Sequence, residues 1–89
     1  MDMKTVRFSA DARAALRDMP AALRRDFQAE IMAIAAGEAA GDRLEGPAAD
    51  LRRIKYNGWR ALIRVSADAV FVERLGPRAD IYRGLGRRR

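Results

Sequence analysis

The 89-residue sequence contains no cysteine and no histidine. Without thiols the chain can form neither disulfides nor a cysteine nucleophile, and without imidazole it has no histidine base and no zinc site of the Cys/His kind. We expect no metal ion and no cofactor.

Long apolar runs are also missing. No segment approaches the roughly 18 apolar residues that a membrane span requires, and no basic stretch followed by an apolar region marks the N-terminus. We expect a soluble, cytoplasmic protein with no membrane partner. The length of 89 residues and the 49% hydrophobic content predict a single domain over residues 1–89.

The basic residues are concentrated in the second half of the chain. Residues 1–50 carry 7 Lys and Arg against 9 Asp and Glu, whereas residues 51–89 carry 11 against 3, so the net charges are −2 and +8. Sixteen of the 18 basic residues are arginine. The forked guanidinium group favours the recognition of phosphate by several hydrogen bonds at once.

A strand followed by two helices is predicted for the first half. Residues 3–8 (MKTVRF) favour a strand, and Ser9 is a good N-cap for a helix from about Ala10 to Asp18. Pro20 starts a second helix, from about Ala21 to Ala36, which Gly37 can end. The expected core positions of the helices are Ala12, Ala15, Leu16, Met19, Leu23, Phe27, Ile31, Ile34 and Ala35. Residues 37–50 are interpreted as a surface connection.

The Asn57-Gly58 pair predicts a tight hairpin, because both central residues of a type I′ turn need positive φ. The turn pairs Tyr56 with Trp59, Lys55 with Arg60, Ile54 with Ala61 and Arg53 with Leu62. Since side chains alternate between the faces of a sheet, one face is apolar: Ile54, Tyr56, Trp59, Ala61, Ile63 and Val65. The opposite face, here named the cationic face, carries Arg53, Lys55, Arg60 and Arg64. A lysine opposite an arginine is unfavourable by roughly 0.2 to 1 kcal/mol, which favours a polyanionic partner.

A third strand is predicted from Val70 to Leu75. A two-residue turn at positions 67 and 68 would pair Val65 with Val70, Ile63 with Val72 and Leu62 with Glu73. The predicted fold class is therefore α+β, with an N-terminal strand, a helical hairpin and a three-stranded antiparallel meander that form one sheet.

The end of the third strand adds two further candidates to the cationic face. Arg78 follows the strand and returns close to Arg60, and Tyr82 comes four residues later. Cations around a phosphate and an aromatic ring for a base are what an RNA site requires. Glu73 is expected to neutralise nearby arginines. Two other interpretations stay open, namely a solvated face of a basic protein and a surface for an acidic protein partner.

The chain resembles the RelE/ParE superfamily of type II toxin-antitoxin toxins, and more closely its RelE branch. The order of elements matches over nearly the whole chain, as do three motifs: LEG at 44–46, RIKYNGWRALIRV at 53–65 and GPRADIY at 76–82. The resemblance implies a cytoplasmic endoribonuclease that cleaves messenger RNA in the ribosomal A site by attack of a 2′-hydroxyl group, without metal. It also implies a cognate antitoxin as partner.

Site roles follow from the resemblance, residue by residue. Lys55 would accept a proton or stabilise charge, Arg60 would stabilise the pentacovalent phosphate, and Arg78 would assist the leaving oxygen. Tyr82 would orient or stack a base, while Arg53 and Arg64 would complete the RNA-binding set with Lys55 and Arg60. Arg53 departs from RelE itself, which has lysine at this position, so one candidate base is missing.

Two alternatives share the fold. A ParE-like protein would inhibit DNA gyrase by binding, without catalysis, and a degenerate toxin would only bind its antitoxin. The simultaneous presence of the strand cations, Arg78 and Tyr82 argues against the ParE-like alternative.

Overall fold

A computed structural model describes residues 3–44 and 51–81. The strands and helices follow in the order β1 Thr5–Phe8, α1 Ala10–Asp18, α2 Ala21–Ala35, β2 Asp42–Arg43, β3 Arg52–Tyr56, β4 Trp59–Val65, β5 Ala69–Pro77 and α3 Arg78–Ile81. No helix in these ranges is long and apolar enough to cross a membrane.

The two long helices begin and end where the sequence predicts. The Ser9 hydroxyl caps α1 by accepting a hydrogen bond from the Ala12 N–H at 3.0 Å. At the end of α2 the chain turns at Gly37, whose φ is +81°. The N–H groups of Gly37 and Glu38 there bond to the Ile34 and Ala33 carbonyls, as in a Schellman motif.

The strands form one mixed sheet in the order β1-β5-β4-β3-β2. Strand β1 runs parallel to β5, and the other neighbours are antiparallel. The predicted α+β fold is confirmed, with two differences. The sheet includes the short strand β2, which lies in the predicted surface connection, and a one-turn helix, α3, follows β5.

The main core lies between the helical hairpin and one face of the sheet. Six side chains of this core are almost completely buried: Phe27 and Ile31 of α2, and Ala61, Ile63, Val70 and Val72 of the sheet. Of the predicted helical core positions, Ala15 and Leu16 are partly buried and the other seven are buried. The predicted apolar face of the hairpin therefore faces the helices, and the cationic face is turned away from them.

A β-bulge changes the register between β4 and β5. Ile63 pairs with Val72 as predicted, but Leu62 pairs with Arg74 and not with Glu73, so the predicted pairing of Leu62 was wrong. The extra residue lets Leu75, 7% exposed, reach the core after Val72 although two residues lie between them instead of one. Burial of Leu75 thus accounts for the bulge, which places Glu73 and Arg74 together on the cationic face.

The cationic face is also partly covered by the chain itself. Leu62, which the hairpin register places on this face, is 0% exposed, because it packs with Leu51 and with Ile81 of α3. Leu44 packs against the same cluster. A small second core therefore attaches α3 to the sheet face opposite the helical hairpin.

Candidate functional site

The hairpin turn brings the two central candidate residues together. Asn57 and Gly58 have φ values of +50° and +80°, and the strands pair in the predicted register, with Lys55 directly opposite Arg60. Both side chains lie on the cationic face, because residues paired across a sheet share a face. The predicted juxtaposition of an ammonium and a guanidinium group is confirmed.

Arg78 joins this pair through the backbone. Its N–H donates a 2.8 Å hydrogen bond to the carbonyl oxygen of Gly58, so the first residue of α3 is attached to the hairpin turn. The pairing of Trp59 with Pro77 and of Arg60 with Gly76 completes the connection, so the predicted return of the chain close to Arg60 is confirmed. Lys55, Arg60 and Arg78 therefore meet at one end of the sheet. We call this group the hairpin cluster.

The position opposite Arg60 on the neighbouring strand carries no side chain. The residue there, on β5, is Gly76, where an added Cβ atom would meet no atom of the described residues within 4 Å outside its own chain neighbours. The Arg60 side chain is half-buried and donates a 3.1 Å hydrogen bond to the Trp59 carbonyl oxygen. This bond holds the guanidinium group beside the open position.

The other two predicted RNA-binding residues are paired with carboxylates. Arg53 lies 3.5 Å from Asp42, which β2 contributes, and Arg64 forms an ion pair with Glu73 at 2.5 Å. The expected neutralising role of Glu73 therefore applies to Arg64. Since Arg64 is four residues along β4 from Arg60, it lies about 13 Å from the hairpin cluster and is not part of it.

Arg74 is a cation of this face that the sequence reasoning missed. Its guanidinium group donates a 3.1 Å hydrogen bond to the carbonyl oxygen of Ile81, the last residue of α3. Strict alternation along β5 would place this side chain in the core, but the bulge at Glu73 turns it to the cationic face. The signal in the sequence is the pair of charged residues between Val72 and Leu75, which interrupts the alternation by one position.

Tyr82, the predicted base-stacking residue, lies outside the described residues. The described chain ends at Ile81, which is buried against the cationic face. The position of the Tyr82 ring stays a prediction.

Tyr56 lies on the opposite face and belongs to the scaffold. Its ring packs edge-on against Phe27, with centroids 5.2 Å apart, and its hydroxyl donates to the Glu30 carboxylate at 3.4 Å. Burial raises the pKa of the Tyr56 hydroxyl above its usual value, and the charge and hydrogen bond of Glu30 and the charge of Asp26 raise it further. The neutral ring attaches β3, and with it Lys55, to α2.

Within residues 3–44 and 51–81, no group of three or more acidic side chains is arranged to hold a metal ion. The chemistry available at the hairpin cluster is the binding and stabilisation of negative charge by two guanidinium groups and the Lys55 side chain.

Comparison with known proteins gives matches to solved structures. No family model and no curated protein sequence matches the chain. The toxin-antitoxin complex RelBE2 from Mycobacterium tuberculosis matches with a TM-score of 0.68 and 24% identity, over 90% of this chain and 97% of that one. A substituted E. coli RelE toxin in the free state matches with a TM-score of 0.72 and 18% identity, over 85% and 84%. The chromosomal ParDE system from P. aeruginosa matches with a TM-score of 0.63 and 16% identity, over 84% and 96%.

The protein belongs to the α+β class: a helical hairpin packs on one face of a mixed sheet, and the opposite face is cationic. Within that class the chain has the RelE-like toxin fold. The family resemblance predicted from the sequence is thus confirmed at the level of the fold.

Proposed function

We propose that this chain is the toxin of a type II toxin-antitoxin system and that it cleaves messenger RNA in the ribosomal A site. The observation that carries the proposal is the hairpin cluster, in which Lys55 lies directly opposite Arg60 and a backbone hydrogen bond attaches Arg78 to the same turn. The RelE-like fold supports the same function, because RelE proteins with solved structures are described as toxins.

The proposed reaction is attack of a ribose 2′-hydroxyl on the adjacent phosphorus. Lys55, in its uncharged amine form, accepts the hydroxyl proton while the 2′-oxygen forms its bond to phosphorus, and the bond from phosphorus to the 5′-oxygen then breaks. The 5′-oxygen takes up a proton from water, and the hydroxide that remains takes the proton from Lys55, which restores the amine. The products are a 2′,3′-cyclic phosphate and a 5′-hydroxyl end. In this scheme Arg60 stabilises the charge that develops on the phosphate oxygens, and Arg78 assists the leaving oxygen.

Charge pairing within the described residues supports this division of roles. The carboxylates of Asp42 and Glu73 are engaged by Arg53 and Arg64, so neither is placed to act as a base beside Arg60. The Lys55 side chain is exposed and makes no hydrogen bond or ion pair within the described residues. Arg53 and Arg64 would bind RNA away from the reacting phosphate, and Tyr82 would orient or stack a base.

A cognate antitoxin is the proposed protein partner. Several structures with this fold are toxin-antitoxin complexes, including those from Methanococcus jannaschii and Pyrococcus horikoshii. The cationic face attracts an acidic or amphipathic antitoxin segment for the same electrostatic reason that it attracts RNA. Such a segment would inhibit the toxin by covering the hairpin cluster.

The test is induction of the protein in cells, followed by mapping of messenger RNA 5′ ends. The wild type should produce new ends inside translated reading frames. Arg60→Ala and Arg78→Ala should reduce these ends by about 100-fold or more, since removal of one charge-stabilising group costs 10² to 10³ in rate. Arg25→Ala removes an exposed arginine from α2 on the other side of the sheet and should leave the ends unchanged.

The alternatives give different results in the same cells. Growth arrest without new RNA ends, together with loss of gyrase supercoiling activity, would replace the ribonuclease proposal by the ParE-like one. Absence of any growth effect, with binding of an antitoxin retained, would indicate a degenerate toxin.

A further inference from the structure

A second aromatic position on the cationic face is separate from the hairpin cluster. Phe71 of β5 lies between Val70 and Val72, which are buried in the main core, so its side chain points to the cationic face. Phe71 is partly exposed, and it packs into neither of the two apolar clusters formed by the described residues. Packing among the described residues therefore does not account for an aromatic side chain at this position.

Arginines flank Phe71 on both neighbouring strands. In the sheet register Phe71 lies beside Arg7 of β1 and opposite Arg64 of β4. Adjacent side chains on neighbouring strands are about 4.5 to 5.5 Å apart at Cβ. Arg7 is exposed, and Arg64 is held by its ion pair with Glu73. An aromatic surface is thus bordered by guanidinium groups at two sides.

This combination fits single-stranded RNA better than it fits an acidic peptide. A base can stack on an aromatic ring irrespective of its identity, while a guanidinium group beside the ring contacts the backbone phosphate. A purely acidic peptide would use the arginines but not the ring. Phe71 is paired with Arg64, so it lies about 13 Å from Arg60, which corresponds to about four stacked nucleotides at 3.4 Å each.

We propose that Phe71 and Arg7 form a base-stacking subsite for the nucleotides that continue beyond the cleavage position. This inference rests on the proposed function, because it requires that the chain binds RNA through the hairpin cluster. The subsite would make binding depend on the length of the RNA, since only a segment that spans both positions can use both.

The test measures binding of fluorescent RNA to the full chain by anisotropy. Oligonucleotides with 2′-O-methyl groups are used, because they lack the attacking hydroxyl. Phe71→Leu, which keeps an apolar side chain but removes the ring, should weaken binding of a hexanucleotide at least about fivefold, the lower limit expected for one stacked base. It should leave the affinity for a dinucleotide unchanged. Phe71→Tyr keeps the ring and should bind like the wild type.

A second measurement uses the wild-type protein and does not depend on the folding of a variant. In a set of hexanucleotides with one abasic position each, one position besides any that Tyr82 contacts should lower the affinity, and the dependence on that position should disappear in Phe71→Leu. Arg7→Gln should weaken hexanucleotide binding only, and Arg25→Gln on α2 should have no effect. Equal affinities across the abasic set, or a pattern of dependence that is the same in Phe71→Leu as in the wild type, would overturn the subsite.

The outcomes separate the subsite from the proposed function. Arg60→Gln should weaken both RNA lengths if the hairpin cluster binds RNA. If Arg60→Gln weakens binding of both RNA lengths while Phe71→Leu binds the hexanucleotide like the wild type, the proposed subsite is wrong. RNA binding by the hairpin cluster is then still supported. If the wild type binds neither RNA, and Phe71→Leu instead abolishes binding of an acidic protein partner, the Phe71 ring contacts that protein. The proposed RNA subsite is then overturned.

Discussion

At the scale of single residues, Arg74 connects the sheet to the segment that carries Arg78. Its hydrogen bond to the Ile81 carbonyl holds the end of α3 over the small second core. A hydrogen bond from a charged group contributes about 1.5 to 3 kcal/mol when it is protected from water. Since Arg74 is only partly buried, we expect the lower end of that range.

Arg74→Ala should therefore lower the free energy of unfolding by about 1 to 2 kcal/mol, because the Ile81 carbonyl loses this donor. Denaturation by urea measures this change. Arg25→Ala, a change at an exposed helix position, should stay within about 0.5 kcal/mol of the wild type. If the two variants unfold at the same urea concentration, Arg74 does not stabilise α3.

Tyr56 leads to a prediction about alkaline pH. The pKa of its hydroxyl is raised, first by burial and then by Glu30 and Asp26, so the folded protein holds this proton more tightly than the unfolded chain. The stabilisation is therefore complete below pH about 10, the unfolded value, and is lost as the pH rises through the higher folded value. Stability should fall in this window more steeply in the wild type than in Tyr56→Phe.

Ultraviolet absorbance measures the ionisation directly. The chain has two tyrosines, so Tyr82→Phe leaves Tyr56 as the one that titrates. Its midpoint should lie above pH 10, and the additional change Glu30→Gln should move it toward 10 because the negative charge of Glu30 is lost. A midpoint at or below 10, or one that Glu30→Gln leaves unchanged, would contradict this assignment.

At the scale of elements, the hairpin of β3 and β4 sets the position of the candidate site. The turn residue Gly58 has a φ of +80° and accepts the hydrogen bond from the Arg78 N–H. Any residue with a Cβ atom is strained in this conformation, by about 1 to 2 kcal/mol.

Gly58→Ala should consequently reduce the free energy of unfolding by about 1 kcal/mol or slightly more, measured by thermal or urea denaturation. Gly76→Ala is the matched control, because it adds the same methyl group where φ is not positive and where, among residues 3–44 and 51–81, no atom outside its chain neighbours lies within 4 Å. A smaller loss of stability for Gly58→Ala than for Gly76→Ala would show that the turn differs from the one described.

Local signals in the sequence were sufficient for most elements. Ser9, Pro20 and Gly37 mark the ends of the two helices, and Asn57-Gly58 determines the register that pairs Lys55 with Arg60. These features depend on a few neighbouring residues, so a single sequence contains the information for them.

The features that escaped prediction depend on contacts between distant segments. The bulge at Glu73 allows the Leu75 side chain to be buried in the main core. Leu62 is buried on the cationic face by its packing with Leu51 and Ile81. Strand β2 has two residues and no hydrophobic pattern of its own, but it supplies the Asp42 partner of Arg53. The separation of Arg64 from the hairpin cluster follows from strand geometry alone and could have been predicted.

At the scale of the whole molecule, the two halves of the chain supply different parts of the structure. The first half, with a net charge of −2, supplies the helical hairpin and both edge strands. The second half, with +8, supplies the three central strands and the basic residues of the hairpin cluster. The helices cover one sheet face and leave the other to the cations. The fold thus separates the apolar core from the surface that attracts a polyanion.

The central claim, that the hairpin cluster cleaves RNA, is tested most directly by the chemistry of the product ends. Purified protein is added to ribosomes that hold a defined messenger RNA, and the fragments are analysed by mass spectrometry. The wild type and Arg25→Ala should give a 2′,3′-cyclic phosphate on one fragment and a 5′-hydroxyl on the other, and Arg60→Ala should do so at least about 100-fold more slowly. Intact messenger RNA, ends with a 5′-phosphate, or an equal rate for Arg60→Ala would contradict the claim.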